Sequence, residues 1–201
     1  MNILVGCEKD CTVRDSFRSL GHNAISVDLL ESSKGPEDQY HFQQDILDFN
    51  IIPGMFDLGI FFPSCTYLCK AQQYLVNKSS DRGTLQKKAI EFVRRLWELP
   101  IKRIAIENPP GILTKKFRPP EQLIHPYYFG DPYRKEIQLW LKNLPPLQYN
   151  PNILRLDPVT KLKSVHYHTN SRMSQGQKTE IHSSWKYFPR LAIAMAEQWS
   201  K

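Results

Sequence analysis

Long hydrophobic runs and cysteines are both scarce in this chain of 201 residues. No apolar run approaches the roughly twenty residues that cross a bilayer, so the sequence predicts no membrane-spanning helix and no membrane partner. The four cysteines lie in or beside strand-like segments, which argues against a framework of disulfides. Residues 1–6 are too few for a signal peptide and predict a first strand. We therefore expect one cytoplasmic domain that spans 1–201.

Acidic residues are scarce in one part of the chain. The net charge is +7, and between 150 and 190 only Asp157 and Glu180 oppose seven lysines and arginines. The stretch 148–184 is polar and weakly periodic, which predicts a basic, loop-rich insertion. Such a stretch favours a polyanionic partner, a nucleic acid or a nucleotide, over a surface that merely keeps the protein soluble.

Strand and helix patterns alternate along the first two-thirds of the chain. The apolar spacing predicts strands at 2–6, 24–29, 42–47, 56–62 and 101–106, and helices at 13–20 and 84–99. Prolines are frequent in the later part, where we predict a strand at 137–141 and a last helix at 191–199. Alternation of this kind predicts an α/β fold with a mostly parallel, doubly wound sheet and a small irregular basic insertion.

Two short motifs each end a strand-like run. Pro63-Ser64-Cys65 follows 56–62, and Glu107-Asn108-Pro109 follows 101–106. The carboxyl ends of parallel strands form the floor of the ligand crevice. A thiol and a carboxylate placed there could act as nucleophile and proton handler on one substrate. The alternatives are that Cys65 is a small buried apolar residue and that Glu107 caps the next turn.

In this order, the motifs resemble those of the cytosine-5 DNA methyltransferases, specifically the short forms found in phage and prophage genomes. Pro63-Ser64-Cys65 resembles the family's Pro-Pro-Cys loop, and Glu107-Asn108-Pro109 resembles its Glu-Asn-Val motif. The stretch 129–136 resembles the segment before its Gln-x-Arg-x-Arg motif, and the last helix resembles a small-residue helix of the family. The resemblance implies a Rossmann-like fold of the S-adenosylmethionine-dependent methyltransferases, in a bacterial or phage-infected cell.

The resemblance also implies an activity and a role for each matched position. The activity is transfer of a methyl group from S-adenosylmethionine to carbon 5 of cytosine in DNA, through a covalent bond from the nucleophile to carbon 6. The implied catalytic residues are Cys65, Glu107 and Lys135. The positions matched to substrate binding are Ser64, Asn108, Pro109 and Arg134. The positions matched to S-adenosylmethionine are Gly6, Cys7, Glu8, Asp28, Leu29, Asp45, Ile46, Phe62 and Pro63.

Three features depart from the family pattern. Gly6 is the one glycine in 6–11, where the family has several. Lys135 and Ile137 stand at the two arginine positions. The stretch 148–184 is far shorter than a full target-recognition domain, so it can contact phosphates but offers little surface for reading bases. The substrate is therefore expected to be DNA, single-stranded DNA included, or a nucleotide.

Three other interpretations stay open at this point. Asn108-Pro109-Pro110 matches the motif of amino-methyltransferases, although Gly111 stands where those enzymes have an aromatic residue. The cysteines at the ends of the first and fourth strands could converge on zinc or an iron–sulfur cluster; they are Cys7, Cys11, Cys65 and Cys69. The chain could also be a methyltransferase-like binding module without activity, serving in nucleotide binding or in phage counter-defence.

Overall fold

Short apolar stretches rich in β-branched residues form a central sheet of seven strands. The computed structural model describes residues 1–78, 80–149, 166–167 and 188–201. The strands of this sheet are β1 Asn2–Gly6, β2 Asn23–Asp28, β3 His41–Gln43, β4 Leu58–Phe61, β5 Arg103–Asn108, β6 Gln122–Ile124 and β8 Ile137–Lys142. A separate two-stranded pair joins β7 Tyr133–Arg134 to β9 His166–Tyr167.

The spatial order of the sheet is β3-β2-β1-β4-β5-β8-β6. The first five strands are parallel, and β8 runs antiparallel to both of its neighbours. Chain order reverses between β1 and β4, and in doubly wound sheets the ligand crevice opens at such a switch point, outside the carboxyl ends of the strands. The predicted mostly parallel α/β fold is confirmed, and this order is that of a Rossmann-like sheet.

Helices cover both faces of the sheet. On one face, α1 Thr12–Ser19 and α5 Pro189–Trp199 bury apolar side chains that include Phe17 and Met195. On the other face, α3 Ser80–Glu98 buries Ile90, Val93 and Leu96 against the strands. None of the described helices is both long and apolar enough to span a membrane.

The shorter elements were not predicted from the sequence. They are the 3-10 turn Lys70–Gln72, the helices α2 Gln73–Asn77 and α4 Leu113–Lys116, the strands β6 and β7, and the 3-10 turn Pro126–Phe129. Two or three residues per strand leave too little periodicity to recognise.

The Asp131 carboxylate accepts the backbone N–H groups of Arg190 and Leu191, which fixes the start of α5.

Several predicted boundaries need correction, among them the strand 56–62, which is Leu58–Phe61, and the last helix, which begins at Pro189. The strand predicted at 42–47 is limited to His41–Gln43, because the Asp45 carboxylate accepts the Leu47 N–H and turns the chain. The helix predicted at 84–99 begins at Ser80. The strand predicted at 101–106 is Arg103–Asn108, so Glu107 and Asn108 end the strand instead of following it. The predicted insertion 148–184 lies outside the described residues, apart from 148–149 and 166–167.

Candidate active site

A cavity of about 560 Å³ opens at the carboxyl edge of β1, β2, β4 and β5. It therefore lies at the switch point of the sheet, where an α/β fold of this type binds its ligands. Fourteen of the predicted site residues line it: Cys7, Glu8, Asp28, Leu29, Asp45, Ile46, Phe62, Pro63, Ser64, Cys65, Glu107, Asn108, Pro109 and Lys135. The volume falls within the range of about 300–1,000 Å³ that is usual for small-molecule sites.

The three predicted catalytic residues lie at one end of this cavity. Cys65 follows the end of β4, Glu107 lies on the neighbouring strand β5, and Lys135 enters from the segment before β8. The Lys135 Nζ lies 3.6 Å from the Glu107 Oε1, which is an ion pair longer than a direct hydrogen bond. Both side chains are almost fully buried. A thiol, a carboxylate and an ammonium group thus share one pocket.

Burial controls the proton on Glu107. Desolvation raises the pKa of this carboxyl group, and the Lys135 ammonium opposes the rise. The buried Glu107 Oε1 has no hydrogen-bond partner. Because the 3.6 Å ion pair with Lys135 leaves this buried oxygen without a direct hydrogen bond, the atom is suited to receive a donor from a ligand. Because of this raised pKa, the carboxyl group keeps its proton to a higher pH than an exposed glutamate does.

Asn108 holds the loop after β4 against β5. Its Nδ2 donates a hydrogen bond of 2.7 Å to the Pro63 carbonyl oxygen, and the residue is 1% exposed. The Ser64 and Thr66 hydroxyl groups lie 2.9 Å apart within the same loop, on its exposed side. Asn108 therefore acts on the position of Cys65 through Pro63, and its Oδ1 is buried without a hydrogen-bond partner.

Gly111 joins the loops that follow β4 and β5. It forms an isolated antiparallel bridge with Cys69, flanked by hydrogen bonds of 2.9 Å from the Lys70 N–H to the Pro110 carbonyl and from the Ile112 N–H to the Leu68 carbonyl. A Cβ at Gly111 would collide with the Leu68 carbonyl oxygen and lie 2.8 Å from the Cys69 Cα. Since no side chain fits here, an aromatic residue of the amino-methyltransferase kind has no place at this position.

The other end of the cavity combines two carboxylates with an apolar floor. Asp28 ends β2, and its Oδ1 accepts the Leu30 N–H at 2.8 Å. Asp45 accepts the Leu47 N–H at 2.9 Å. Burial raises the pKa of Asp28. The apolar lining between the two carboxylates includes Val27, Leu29, Ile46 and Phe62.

Glu8 lines the cavity but is already occupied by α1. Its Oε1 accepts the Val13 N–H at 2.7 Å, and its Oε2 accepts the Arg14 N–H at 3.3 Å. The residue is 3% exposed, and burial raises the pKa of its carboxyl group to about 7 although these two hydrogen bonds oppose the rise. Glu8 thus caps the first helix from within the pocket wall.

Two predicted site residues do not contribute described side chains to the cavity. Gly6 lies beneath it, where a Cβ would lie 2.5 Å from the Phe61 ring, so this glycine is needed for packing inside the sheet. Arg134 belongs to β7 by its backbone, and its side chain lies outside what the structure describes.

The four cysteines do not gather at one point. Cys7 and Cys65 line the cavity, whereas the Cys11 thiol contacts Ser32 and Asp38 in a polar cluster beneath α1. Among the described residues, which include all four cysteines, no group of three or more histidine, cysteine, aspartate or glutamate side chains is placed to hold a metal ion. The metal-site interpretation therefore lacks its ligand set.

Sequence reasoning missed part of the lining. The cavity also contacts Lys9, Asp10, Val27, Leu30, Gln44, Thr66 and Phe92. Most of these are direct neighbours of predicted residues and follow once the strand ends are known. Phe92 comes from α3 and carried no signal, since its position in an amphipathic helix is that of a core residue.

Comparison with known proteins gives a likeness to solved structures but not to protein families. No protein-family profile matches the chain. No curated protein matches it either. Among solved structures, the chain is similar to a protein described as a DNA modification methyltransferase encoded within a prophage of E. coli, with 15% sequence identity and a TM-score of 0.48. The similarity covers 78% of this chain and 48% of that protein, so this chain spans about half its length.

Proposed function

We propose that this chain is an S-adenosylmethionine-dependent methyltransferase that methylates carbon 5 of cytosine in DNA through a covalent bond to Cys65. The observation that carries the proposal is the single cavity that joins Cys65, Glu107 and Lys135 to the carboxylates Asp28 and Asp45 at the switch point of the sheet. The motif resemblance indicates which reaction to propose, and the cavity brings together the side chains that this reaction needs.

The residues at the Asp28 end suit S-adenosylmethionine. Asp28 and Asp45 offer acceptors for ribose hydroxyl and adenine amino groups, and the apolar side chains Ile46 and Phe62 offer surfaces for a flat ring. The acidic lining also suits a cationic ligand. When bound, the cofactor would supply an electrophilic methyl group for transfer to the base.

The residues at the other end act on the base. Carbon 5 of cytosine is a poor nucleophile, and bonding of the Cys65 thiolate to carbon 6 makes the ring enamine-like at carbon 5. Glu107 holds a proton at ring nitrogen 3 as this bond forms, which its raised pKa favours. Lys135 keeps the pocket from accumulating uncompensated negative charge. Loss of the carbon 5 proton then releases the thiolate.

The geometry disfavours both the amino-methyltransferase and the metal alternative. The described residues, which include all four cysteines, do not supply a set of metal ligands. An Asn-Pro-Pro site needs an aromatic side chain at position 111, where the Leu68 carbonyl leaves no room. The Asn108 amide is also engaged by Pro63. The binding-module alternative predicts the same cavity without reaction at Cys65, so a chemical test separates it from the proposal.

Covalent trapping is that test. An oligonucleotide containing 5-fluorocytosine, incubated with S-adenosylmethionine, should form an adduct that survives denaturation, because fluorine at carbon 5 blocks release of the enzyme. Single-stranded and duplex forms are compared side by side. Cys65→Ala should abolish the adduct, whereas Cys11→Ser, a thiol change away from the cavity, should retain it. Absence of any adduct with the unaltered protein, together with no calorimetric binding of S-adenosylmethionine or S-adenosylhomocysteine at millimolar concentration, would overturn the proposal.

A further inference from the structure

An exposed tyrosine lies on the segment that follows Cys65. Tyr74 belongs to α2 and is 64% exposed, so its ring adds little to the core of the protein. The Lys78 Nζ lies 4.3 Å from the centroid of this ring. A single ammonium group covers at most one of the two faces of an aromatic ring. The reaction described above gives neither side chain a role.

The backbone that carries Tyr74 is held against α3. The Gln86 side chain of α3 donates a hydrogen bond of 2.8 Å to the Tyr67 carbonyl oxygen, and its Nε2 lies 3.2 Å from the Gln73 Oε1. Val76, two residues after Tyr74, is buried. The tyrosine is therefore exposed on a turn of helix that is fixed on both sides.

This turn lies at the same edge of the sheet as the cavity. Because α3 connects the parallel strands β4 and β5, it begins at their carboxyl edge and runs back to their amino edge. α2 comes just before the start of α3. Phe92 of α3 lines the cavity, and Gln86 precedes it by six residues, or about 9 Å along the helix axis. Tyr74 and the opening of the cavity therefore share one end of the molecule.

The charge around Tyr74 suits a polyanion. Between 66 and 90, five lysines and arginines stand against one acidic residue, Asp81. Lys70 and Lys78, which precede and follow Tyr74, are both exposed. An exposed ring with lysines around it is typical of sites for unpaired nucleotides, where bases stack on the ring and phosphates contact the cations. In a duplex the neighbouring base pairs cover the faces of each base, so this ring fits a single strand better.

We propose that Tyr74, Lys70 and Lys78 form a platform that binds single-stranded DNA beside the cavity, an inference that rests on the proposed function. A base near the target cytosine stacks on the Tyr74 ring, and phosphates of the same strand contact the two lysines. The target base then reaches Cys65 without leaving a duplex, which avoids the cost of unpairing it. The preferred substrate is therefore a single strand.

The test measures binding of a labelled thymidine oligonucleotide by fluorescence anisotropy, which is independent of the reaction because this strand contains no cytosine. Tyr74→Ala should weaken binding by about tenfold, whereas Tyr74→Phe keeps the ring and should stay within about threefold of the unaltered protein. The same strand paired with its complement should bind more weakly and should not respond to Tyr74→Ala. Circular dichroism verifies that the variants fold.

The salt dependence of the same binding tests the lysines. Lys78→Gln should reduce the slope of log affinity against log salt concentration by about 0.7, the value for one phosphate contact on a single strand. Lys102→Gln is the matched control, because Lys102 is exposed just before β5, at the opposite edge of the sheet. It should leave the slope unchanged.

Three results would overturn the platform. They are no binding of the thymidine strand by the unaltered protein, a Tyr74→Ala variant that binds within about threefold of it, and an equal loss for single strand and duplex. The adduct with 5-fluorocytosine separates this inference from the proposed function. Strand binding that depends on Tyr74 without any adduct would refute the proposed function and leave the platform standing. An adduct that forms equally well with duplex DNA and is insensitive to Tyr74→Ala would refute the platform alone.

Discussion

Replacing Gly111 with alanine tests how closely the two loops of the site must be joined. Real Cβ atoms essentially never lie within 3.0 Å of a neighbouring heavy atom, and a Cβ at Gly111 would lie well inside this limit from the Leu68 carbonyl oxygen. The atoms that this Cβ would meet are backbone atoms of Leu68 and Cys69, which cannot rotate away as a flexible side chain could. The loops after β4 and β5 must therefore separate by about 1 Å or more. The position of Cys65 relative to Glu107 then changes by a similar amount.

The size of the effect follows from this displacement. The bridge contains the hydrogen bonds of Lys70 with Pro110 and of Ile112 with Leu68, and each contributes about 1 kcal/mol to stability, so Gly111→Ala should lower the free energy of unfolding by about 2 kcal/mol. A misplacement of about 1 Å between reacting groups costs about a hundredfold in rate. We expect the rate of adduct formation with 5-fluorocytosine to fall by about this factor.

The assay follows adduct formation by denaturing gel or intact mass and follows stability by urea unfolding. Binding of S-adenosylmethionine should change little, because Asp28 and Asp45 belong to other elements. Gly83→Ala is the matched control, since Gly83 lies in α3 with no atom within 4 Å of an added Cβ, and alanine there should keep or raise stability by up to about 1 kcal/mol. An adduct rate within about threefold of the unaltered protein would refute the reasoning.

Three further perturbations test neighbouring features. Asn108→Asp should slow the 5-fluorocytosine adduct at least about tenfold, because a carboxylate cannot donate to the Pro63 carbonyl; an unchanged rate would contradict the positioning role. Burial raises the pKa of Glu8 from 4.5 to about 7 in the folded state, so the folded state binds this proton more tightly than the unfolded state does. The free energy of unfolding, measured with urea, should therefore fall by roughly 3 kcal/mol as the pH rises from 4.5 to about 7. Glu8→Gln should flatten that slope, and a slope equal to that of the unaltered protein would refute the assignment. Asp38→Ala should lower stability by about 2 kcal/mol, measured in the same way, because the fully buried Arg14 loses its ion-pair partner at 2.7 Å and keeps only Asp15 and Ser26; a loss under about 1 kcal/mol would contradict it.

The sheet was predictable because its strands are short apolar runs bounded by polar residues. β1 Asn2–Gly6 was predicted with its observed bounds, and the pairing of β1 with β4 follows from the parallel α/β interpretation. Gly21, which follows α1, has the left-handed backbone conformation that is common just after a helix. Strands of two or three residues, such as β6 and β7, could not be predicted, since pairing with a neighbour defines them rather than their own sequence.

The candidate site was predictable where side chains follow strand ends, and less so where loops meet. Pro63-Ser64-Cys65 and Glu107 were found because parallel strands deliver their last residues to one edge. The bridge between Cys69 and Gly111 pairs residues 42 positions apart in two loops without apolar periodicity. The internal use of Glu8 as a helix cap likewise depends on a turn whose geometry the sequence pattern does not specify.

The capping role of Glu8 bears on which nucleotides the pocket can accept. In dinucleotide sites, the N-terminus of the first helix binds a pyrophosphate through its free N–H groups. Here the protein's own Glu8 side chain already accepts the Val13 and Arg14 N–H groups at that end of α1. A phosphorylated nucleotide would therefore find these donors occupied, whereas a nucleoside without a phosphate group does not need them.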